Sequence, residues 1–202
     1  MLVILHEAHS GVNEVGAVTP GGTTEHSIGL LVSQGFLSAI RVAGYSVALC
    51  KGPIKDTWRE INKMMKDALE RNESSVAISL HFNALPGNKK KVGHTGVIRS
   101  HCALSEDLAN TIMVSLSKEL SWSLVLPLIV APDSKYSANA WPNNLIWPTR
   151  VGTPHCLVEA GFTSDPRFCS WIESPQGQLR YGQIVAQAVI AWACINGVGW
   201  NG

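Results

Sequence analysis

Short apolar runs alternate along the chain with longer segments in which apolar side chains recur at helical spacing. The short runs are almost continuously apolar, as is typical of strands that are buried on both faces of a parallel sheet. Such strands need helices to cover them. Five runs predict strands, at residues 2–5, 45–49, 76–80, 95–99 and 156–158.

The longer segments predict helices. The segment 26–42 places its apolar residues close to helical spacing, and Gly44 is a natural stop for this helix. Thr57 and Glu60 form a capping-box pattern, which predicts a second helix from Thr57 to about residue 72. Two further helices are predicted at residues 105–120 and 178–196.

This alternation of elements predicts an α/β fold. We expect a single domain over residues 1–202, with a twisted, mostly parallel sheet that is flanked by helices on both faces. The segment 121–154 is rich in proline and asparagine and is predicted to be mostly loop.

Charge and hydrophobicity argue against two kinds of partner, nucleic acid and the membrane interior. A formal net charge of +1 gives no strong field that would favour nucleic acid. The longest apolar stretch, residues 124–131, is far shorter than the ~20 residues that a membrane span needs, so we expect no membrane insertion. The run Lys89–Lys91 predicts a solvated turn, with a weak anchor to an anionic polymer as the alternative.

The cysteines and the N-terminal residues indicate the cellular compartment in which the protein is made. The five cysteines have no Cys-x-x-Cys spacing, which favours reduced and mostly buried thiols in a cytosolic protein. The segment that begins at Met1 lacks the basic start and the long apolar core of a signal peptide. We therefore expect synthesis in the cytoplasm, with a separate factor for any release.

Polar residues suited to catalysis come shortly after three of the predicted strands. These residues are His9, His81 and Glu159. The carboxyl ends of parallel strands share one edge of an open sheet, where the loops leave a crevice. We therefore expect the three side chains to converge there. Two imidazoles and a carboxylate are what a hydrolytic zinc site needs.

A catalytic zinc ion takes three protein ligands and keeps one position open for water. Glu25 is the best candidate for the third ligand, because it ends the loop 20–24 and begins a helix that could direct a carboxylate at the strand ends. His26 would point elsewhere on that helix. The remaining histidines are expected to be structural or surface residues, at positions 6, 94, 101 and 155.

Each candidate also has a structural interpretation. A histidine after an apolar strand is often a hydrogen-bonded core residue, and Glu25 could simply be a carboxylate favoured at a helix N-terminus. Glu159 could pair with a base such as Arg150. Its apolar neighbours Leu157, Val158 and Phe162 predict a raised pKa, because they disfavour the charged carboxylate.

Four blocks of sequence, distributed over nearly the whole chain, strengthen the functional interpretation because of their order and spacing. They are His6-Glu7-Ala8-His9-Ser10-Gly11 with Glu25 downstream, Ser79-Leu80-His81-Phe82-Asn83, Gly96-Val97-Ile98, and Leu157-Val158-Glu159-Ala160-Gly161-Phe162 with Ser164-Asp165-Pro166 after it.

These blocks resemble the zinc-dependent N-acetylmuramoyl-L-alanine amidases that occur among cell-separation amidases and phage endolysins. The first block resembles that family's Asp-Pro-Gly-His-Gly-Gly and later glutamate, and the second resembles its Ser-x-His-x-Asn. The resemblance implies that His9, Glu25 and His81 hold one Zn²⁺ ion and that Glu159 is the catalytic glutamate. Asn83 would bind substrate or brace the loop that carries His81.

The first block departs from the family pattern. It has His6-Glu7-Ala8 where the family usually has Asp-Pro-Gly, and Ser10 for the first of the following glycines. His6 therefore occupies the position of an aspartate that could support the ligand His9. The His-Glu-x-x-His motif of helical zinc proteases is an alternative, but this stretch is one residue too short and lacks a helical pattern.

The resemblance implies a peptidoglycan hydrolase that cleaves the amide bond between N-acetylmuramic acid and the L-alanine of the stem peptide. We expect one catalytic domain without a separate cell-wall-binding domain, a monomer, and a phage or prophage endolysin that reaches the wall after release. A bacterial autolysin is the alternative role. Trp141 and Trp147 would pack in the core or stack on sugar rings.

Two rival functions remain open from the sequence. The first is a zinc carboxypeptidase-like peptidase on a similar sheet. The second is a wall-binding module that has lost catalysis, against which the presence of all four candidate site residues argues.

Overall fold

The computed structural model describes residues 1–7, 9, 15–52, 54–84, 95–98, 103–121, 129–130 and 153–198. Strands and helices alternate over much of this part of the chain. In chain order the elements are β1 (Leu2–Glu7), α1 (Glu25–Val42), β2 (Ser46–Lys51), α2 (Ile54–Glu70), β3 (Ser75–Asn83), β4 (Thr95–Ile98), α3 (Ala103–Leu120), β5 (Ile129–Val130), β6 (His155–Phe162), α4 (Pro166–Ile172) and α5 (Pro175–Ile195).

The strands form one sheet in the order β2-β1-β3-β6-β4-β5. The first four strands in this order run parallel to their neighbours, whereas β4 is antiparallel to β6 and parallel to β5. The predicted α/β fold with a mostly parallel sheet is therefore confirmed. Parallel order brings the carboxyl ends of β1, β3 and β6 to the same edge.

Helices cover both faces of the sheet, as predicted. On one face, Val3 and Leu5 belong to a large core cluster that includes residues of α1, α3 and α5. On the other, Ile4 packs in a smaller cluster with Ile61 and Met65 of α2. This alternation of neighbouring residues between two apolar layers explains why the strands are almost continuously apolar.

Glycines allow α1 and α5 to pack closely. A Cβ atom at Gly182 of α5 would collide with the carbonyl oxygen of Val32, and one at Gly35 of α1 would collide with the carbonyl oxygen of Leu179. The two helices therefore approach each other backbone to backbone. This contact fixes α5 against the helix that begins at Glu25.

The two central strands are longer than predicted. β3 continues to Asn83 and β6 to Phe162, so His81 and Glu159 lie within strands, not after them. The reason is that the backbone ladder pairs His81 with Glu159 and, beyond a bulge, Asn83 with Phe162, whatever the polarity of the side chains. Both residues still lie toward the carboxyl edge of the sheet.

Other predicted boundaries also need correction. The capping-box prediction at Thr57 was wrong, because α2 begins at Ile54 and Thr57 is buried in the first turn. The short helix α4 was not predicted, although Asp165 caps it and Pro166 occupies its first position, a recognised start signal. The two-residue strand β5 lies in the segment that was predicted to be mostly loop.

Several predictions concern residues outside the described ranges, among them those on Lys89–Lys91, Trp141, Trp147 and Arg150. Among the helices of the described residues, none has both the length and the apolar character needed to cross a membrane.

Candidate metal centre

Three of the predicted site residues come together at the carboxyl edge of the sheet. His9 follows β1, Glu25 is the first residue of α1, and His81 lies in β3. One potential ligand atom from each residue lies within 4.8 Å of the other two. The Nε2 of His9 is 3.4 Å from the Oε2 of Glu25, and the Nδ1 of His81 is 3.3 Å from its Oε1.

The three side chains are close enough to hold one divalent ion of zinc type. Zinc bonds of 2.0–2.1 Å to nitrogen or oxygen in a tetrahedron put neighbouring ligand atoms about 3.3 Å apart, and each histidine nitrogen lies at about that distance from one oxygen of Glu25, a different oxygen in each case. Two imidazoles and a carboxylate are also the donor set of many catalytic zinc sites. Within the described ranges, this is the one group of three such side chains close enough to hold a metal ion.

Glu25 is held by the backbone on two sides. Thr24 caps α1 and forms a reciprocal capping box with Ser27, which fixes the start of the helix. The backbone N–H of Ala17 donates to Oε2 at 2.5 Å, and that of Phe82 donates to Oε1 at 2.9 Å. Burial alone would raise the pKa of Glu25, but the hydrogen bond and charge of His81 hold it below its ordinary value.

His81 is buried, and its backbone is fastened by α5. The hydroxyl of Tyr181 donates to the carbonyl of His81 at 3.0 Å and lies 3.4 Å from that of Val158. The β-bulge that follows His81 interrupts the ladder at this point. Burial opposes charge on the ring, yet the neighbouring carboxylate of Glu25 raises the pKa of His81 overall.

His9 has an unusual backbone conformation. Its φ angle of 49° lies in the left-handed region, which histidine adopts more readily than most residues. His26 donates from Nδ1 to the carbonyl of His9 at 2.7 Å, so this side chain supports the backbone of the loop. The side chain of His9 is the most exposed of the three, at 32%, and it forms the open side of the cluster.

His6 connects to the cluster through Ser79. The Nδ1 of His6 lies 2.7 Å from the Oγ of Ser79, which lies 2.9 Å from the Nε2 of His81. Burial, followed by repulsion from His81, lowers the pKa of His6 to about 4, so the ring is neutral at pH 7. Sequence reasoning assigned no role to Ser79. Its position two residues before His81, on the same side of a strand, was the available signal.

Glu159 lies beside His81 in the adjacent strand and is 5% exposed. Its Oε2 is buried and has no hydrogen-bond partner among the described residues. Burial raises the pKa of Glu159 to about 8, against the opposing effect of His81. The raised pKa that its apolar neighbours predicted is therefore confirmed. A buried carboxyl oxygen without a described protein partner is available to exchange a proton with a water molecule or a substrate.

Asn83 lies at the end of β3 and is half-buried. Its carbonyl accepts a hydrogen bond from the backbone N–H of Thr163 at 2.9 Å, which joins the segments that follow β3 and β6. The backbone of Asn83 therefore helps to hold the edge of the sheet near Glu159.

Comparison with known proteins gives one family and one fold. Residues 3–191 match the family model described as N-acetylmuramoyl-L-alanine amidase. No curated protein sequence matches the chain significantly. In fold it is similar to the CwlD amidase from Clostridioides difficile, solved in complex with the GerS lipoprotein, with a TM-score of 0.71 and 17% identity over 96% of this chain and 98% of that one.

Two further solved structures share the fold. The amidase AmiC2 of Nostoc punctiforme has a TM-score of 0.70 and 16% identity, over 96% of this chain and 97% of that one. The catalytic domain of the CD27L endolysin, which targets Clostridia difficile, has a TM-score of 0.56 and 14% identity, over 95% and 97%. Since the family match extends over nearly the whole sequence, the chain belongs to the N-acetylmuramoyl-L-alanine amidase family.

Proposed function

We propose that this protein is a zinc-dependent N-acetylmuramoyl-L-alanine amidase that hydrolyses the bond between N-acetylmuramic acid and L-alanine in peptidoglycan. Family membership supports the reaction and the substrate class. The observation that carries the zinc dependence is the cluster of His9, Glu25 and His81, whose ligand atoms lie within 4.8 Å of one another. The partnerless carboxyl oxygen of Glu159 lies in the adjacent strand.

In this proposal His9, Glu25 and His81 hold the ion. The backbone donors to Glu25 fix the direction of its carboxylate before any ion arrives, so less order has to be created on binding. Zinc bound there supplies a Lewis acid, which makes a water molecule more acidic and polarises the scissile carbonyl.

Glu159 moves the protons. An amide needs help at both ends, because water is a poor nucleophile and the amine is a poor leaving group. In its ionised form, which a cation held nearby would favour, Glu159 would take a proton from the attacking water as oxygen bonds to the carbonyl carbon, and give that proton to the nitrogen as the C–N bond breaks. The products are the lactyl carboxylate of the muramic acid and the free amino group of L-alanine.

The test combines metal analysis with product analysis. We expect about one zinc per chain in the purified protein, loss of activity on chelation, and recovery on adding zinc. Digested peptidoglycan should gain free L-alanine amino groups. A carboxypeptidase would leave that bond intact and a binding module would release nothing, so either result would reject the proposal.

We propose that the protein is a phage or prophage endolysin that acts on the cell wall after release. We also propose that it acts as a monomer. The CD27L catalytic domain, which shares this fold, belongs to an endolysin and is the precedent for the proposed role. Lysis of cells from within, only when a membrane pore is co-expressed, would be the expected result. Lysis without a pore would favour an autolysin, and size-exclusion chromatography tests the monomer.

A further inference from the structure

A continuous chain of buried polar groups ends at His81. The Nε2 of His6 contacts the carbonyl of Gly52 at 3.0 Å, and its Nδ1 contacts the hydroxyl of Ser79 at 2.7 Å. The same hydroxyl contacts the Nε2 of His81 at 2.9 Å. His6 and Ser79 are both completely buried, so bulk water does not compete for these hydrogen bonds.

The direction of each hydrogen bond follows from the carbonyl at the start. A carbonyl oxygen only accepts, so the Nε2 of His6 carries a proton and donates to Gly52. Complete burial disfavours a charge on this ring, so with the proton on Nε2 its Nδ1 accepts the single hydroxyl proton of Ser79. The Ser79 oxygen is then left to accept, and the Nε2 of His81 must donate to it.

We infer that His6 and Ser79 are positioning residues for the metal ligand His81: together they keep a proton on its Nε2, so that Nδ1 is the nitrogen available to the ion. Nδ1 is the atom that lies 3.3 Å from Glu25, on the side of the ligand cluster. The inference rests on the proposed function, since it takes His81 to bind the ion through Nδ1.

This arrangement differs from the carboxylate that the resemblance would place at position 6. A neutral imidazole accepts the hydroxyl proton of Ser79 without adding a negative charge behind His81. The carbonyl of Gly52 sets which nitrogen of His6 carries the proton. The chain of hydrogen bonds that reaches His81 therefore starts at the residue that follows β2. Partners that hold the other nitrogen of a ligand histidine commonly raise metal affinity 10- to 100-fold.

The first test is spectroscopic and uses the wild-type protein loaded with zinc. Ring ¹H–¹⁵N correlation spectra should show His81 with a proton on Nε2 and none on Nδ1. A slowly exchanging Nε2 proton is expected, because the acceptor Ser79 is fully buried. A proton on Nδ1 of His81 would overturn the inference, and this readout does not depend on any variant folding.

The second test measures zinc affinity by competition with a chelator. Ser79→Ala should weaken zinc binding about 10- to 100-fold, Ser79→Thr should retain the hydroxyl and restore the affinity, and His6→Phe should also weaken binding. Ser33→Ala is the matched control. Its hydroxyl is likewise buried and donates to a carboxylate, that of Glu7, at 2.8 Å, without belonging to the chain that reaches His81.

Two outcomes separate this inference from the proposed function. If the wild type binds no zinc, or His81→Ala binds it as tightly as the wild type, the proposed function fails. If His81→Ala loses zinc but Ser79→Ala and His6→Phe bind it with wild-type affinity, only the positioning role fails. A loss in Ser33→Ala equal to that in Ser79→Ala would reduce the effect to general destabilisation and also overturn the role.

Discussion

The backbone N–H of Phe82 donates a hydrogen bond of 2.9 Å to the carboxylate of Glu25, across the boundary between β3 and α1. Phe82 immediately follows His81, so the carboxylate is tied to the strand that carries the neighbouring candidate ligand. The second carboxylate oxygen accepts from Ala17 at 2.5 Å. Glu25 therefore connects two parts of the site even without an ion.

Glu25→Gln should damage both stability and metal binding. An amide has one accepting oxygen, so either the N–H of Ala17 or that of Phe82 loses its partner. We expect a loss of roughly 1–3 kcal/mol in the free energy of unfolding of the metal-free protein, measured in urea. Zinc binding, measured by chelator competition, should fall strongly. Glu70→Gln, at an exposed carboxylate, is the control, and equal behaviour of the two variants would contradict the prediction.

Glu159→Gln should separate catalysis from stability. The amide keeps the shape of the side chain but cannot exchange protons, so we expect kcat to fall roughly 10²- to 10⁴-fold. Zinc content should be unchanged. The unfolding free energy should stay the same or rise, because burial raises the pKa of Glu159 to about 8, so folding at pH 7 requires this carboxyl to take up a proton that Gln does not need. Full lytic activity in a zinc-loaded variant would show that Glu159 does not move the protons.

Acid should destabilise the metal-free protein through His6. Its pKa is about 4 in the folded protein, against 6.5 as the ordinary value, because of burial and the nearby rings of His81 and His9. Between these values the unfolded chain binds a proton that the folded chain does not, so stability falls as the pH drops from 6.5 to 4. The loss from this residue is up to about 3 kcal/mol.

Urea unfolding at several pH values in the presence of a chelator measures this effect. His6→Phe lacks the titrating group, so its stability should decline less steeply over the same range. The other titrating groups remain in both proteins, and the difference in slope therefore isolates His6. Parallel curves for the two proteins would contradict the prediction.

Gly182→Ala should destabilise the contact between α1 and α5. The added methyl would collide with the carbonyl of Val32, which belongs to the backbone and cannot rotate away. We expect a loss of roughly 1–3 kcal/mol in the unfolding free energy, measured by thermal or urea denaturation. Gln187→Ala, at an exposed position of α5, should change it little. A neutral result at Gly182 would mean that the helices can separate freely.

The fold was largely predictable because strand burial leaves a direct record in the sequence. Apolar runs such as 76–80 mark strands covered on both faces, and the structure confirms them. The ends of β3 and β6 were missed because backbone pairing continues through the polar residues His81 and Glu159. Polar side chains at these positions indicate that the surroundings of the strand change. The backbone hydrogen bonds between the strands nevertheless continue.

The residues that meet in the candidate site were predictable, but the groups that hold them were not. His9, Glu25 and His81 stand out by residue type and position, and the structure brings them together. Ser79 and Tyr181 act through hydrogen bonds whose partners depend on three-dimensional register. A serine in an apolar strand and a tyrosine in a helix have no local pattern that distinguishes such contacts from ordinary packing.

The hydroxyl of Tyr181 has a consequence for the order of events during translation. It reaches the bulged carbonyl of His81 from a helix that is made 100 residues later. While the ribosome is still synthesising the earlier strands, that carbonyl has no such donor. The hydrogen-bonded arrangement around His81 can therefore be completed only after α5 has emerged and docked, when synthesis of the described part of the chain is nearly finished.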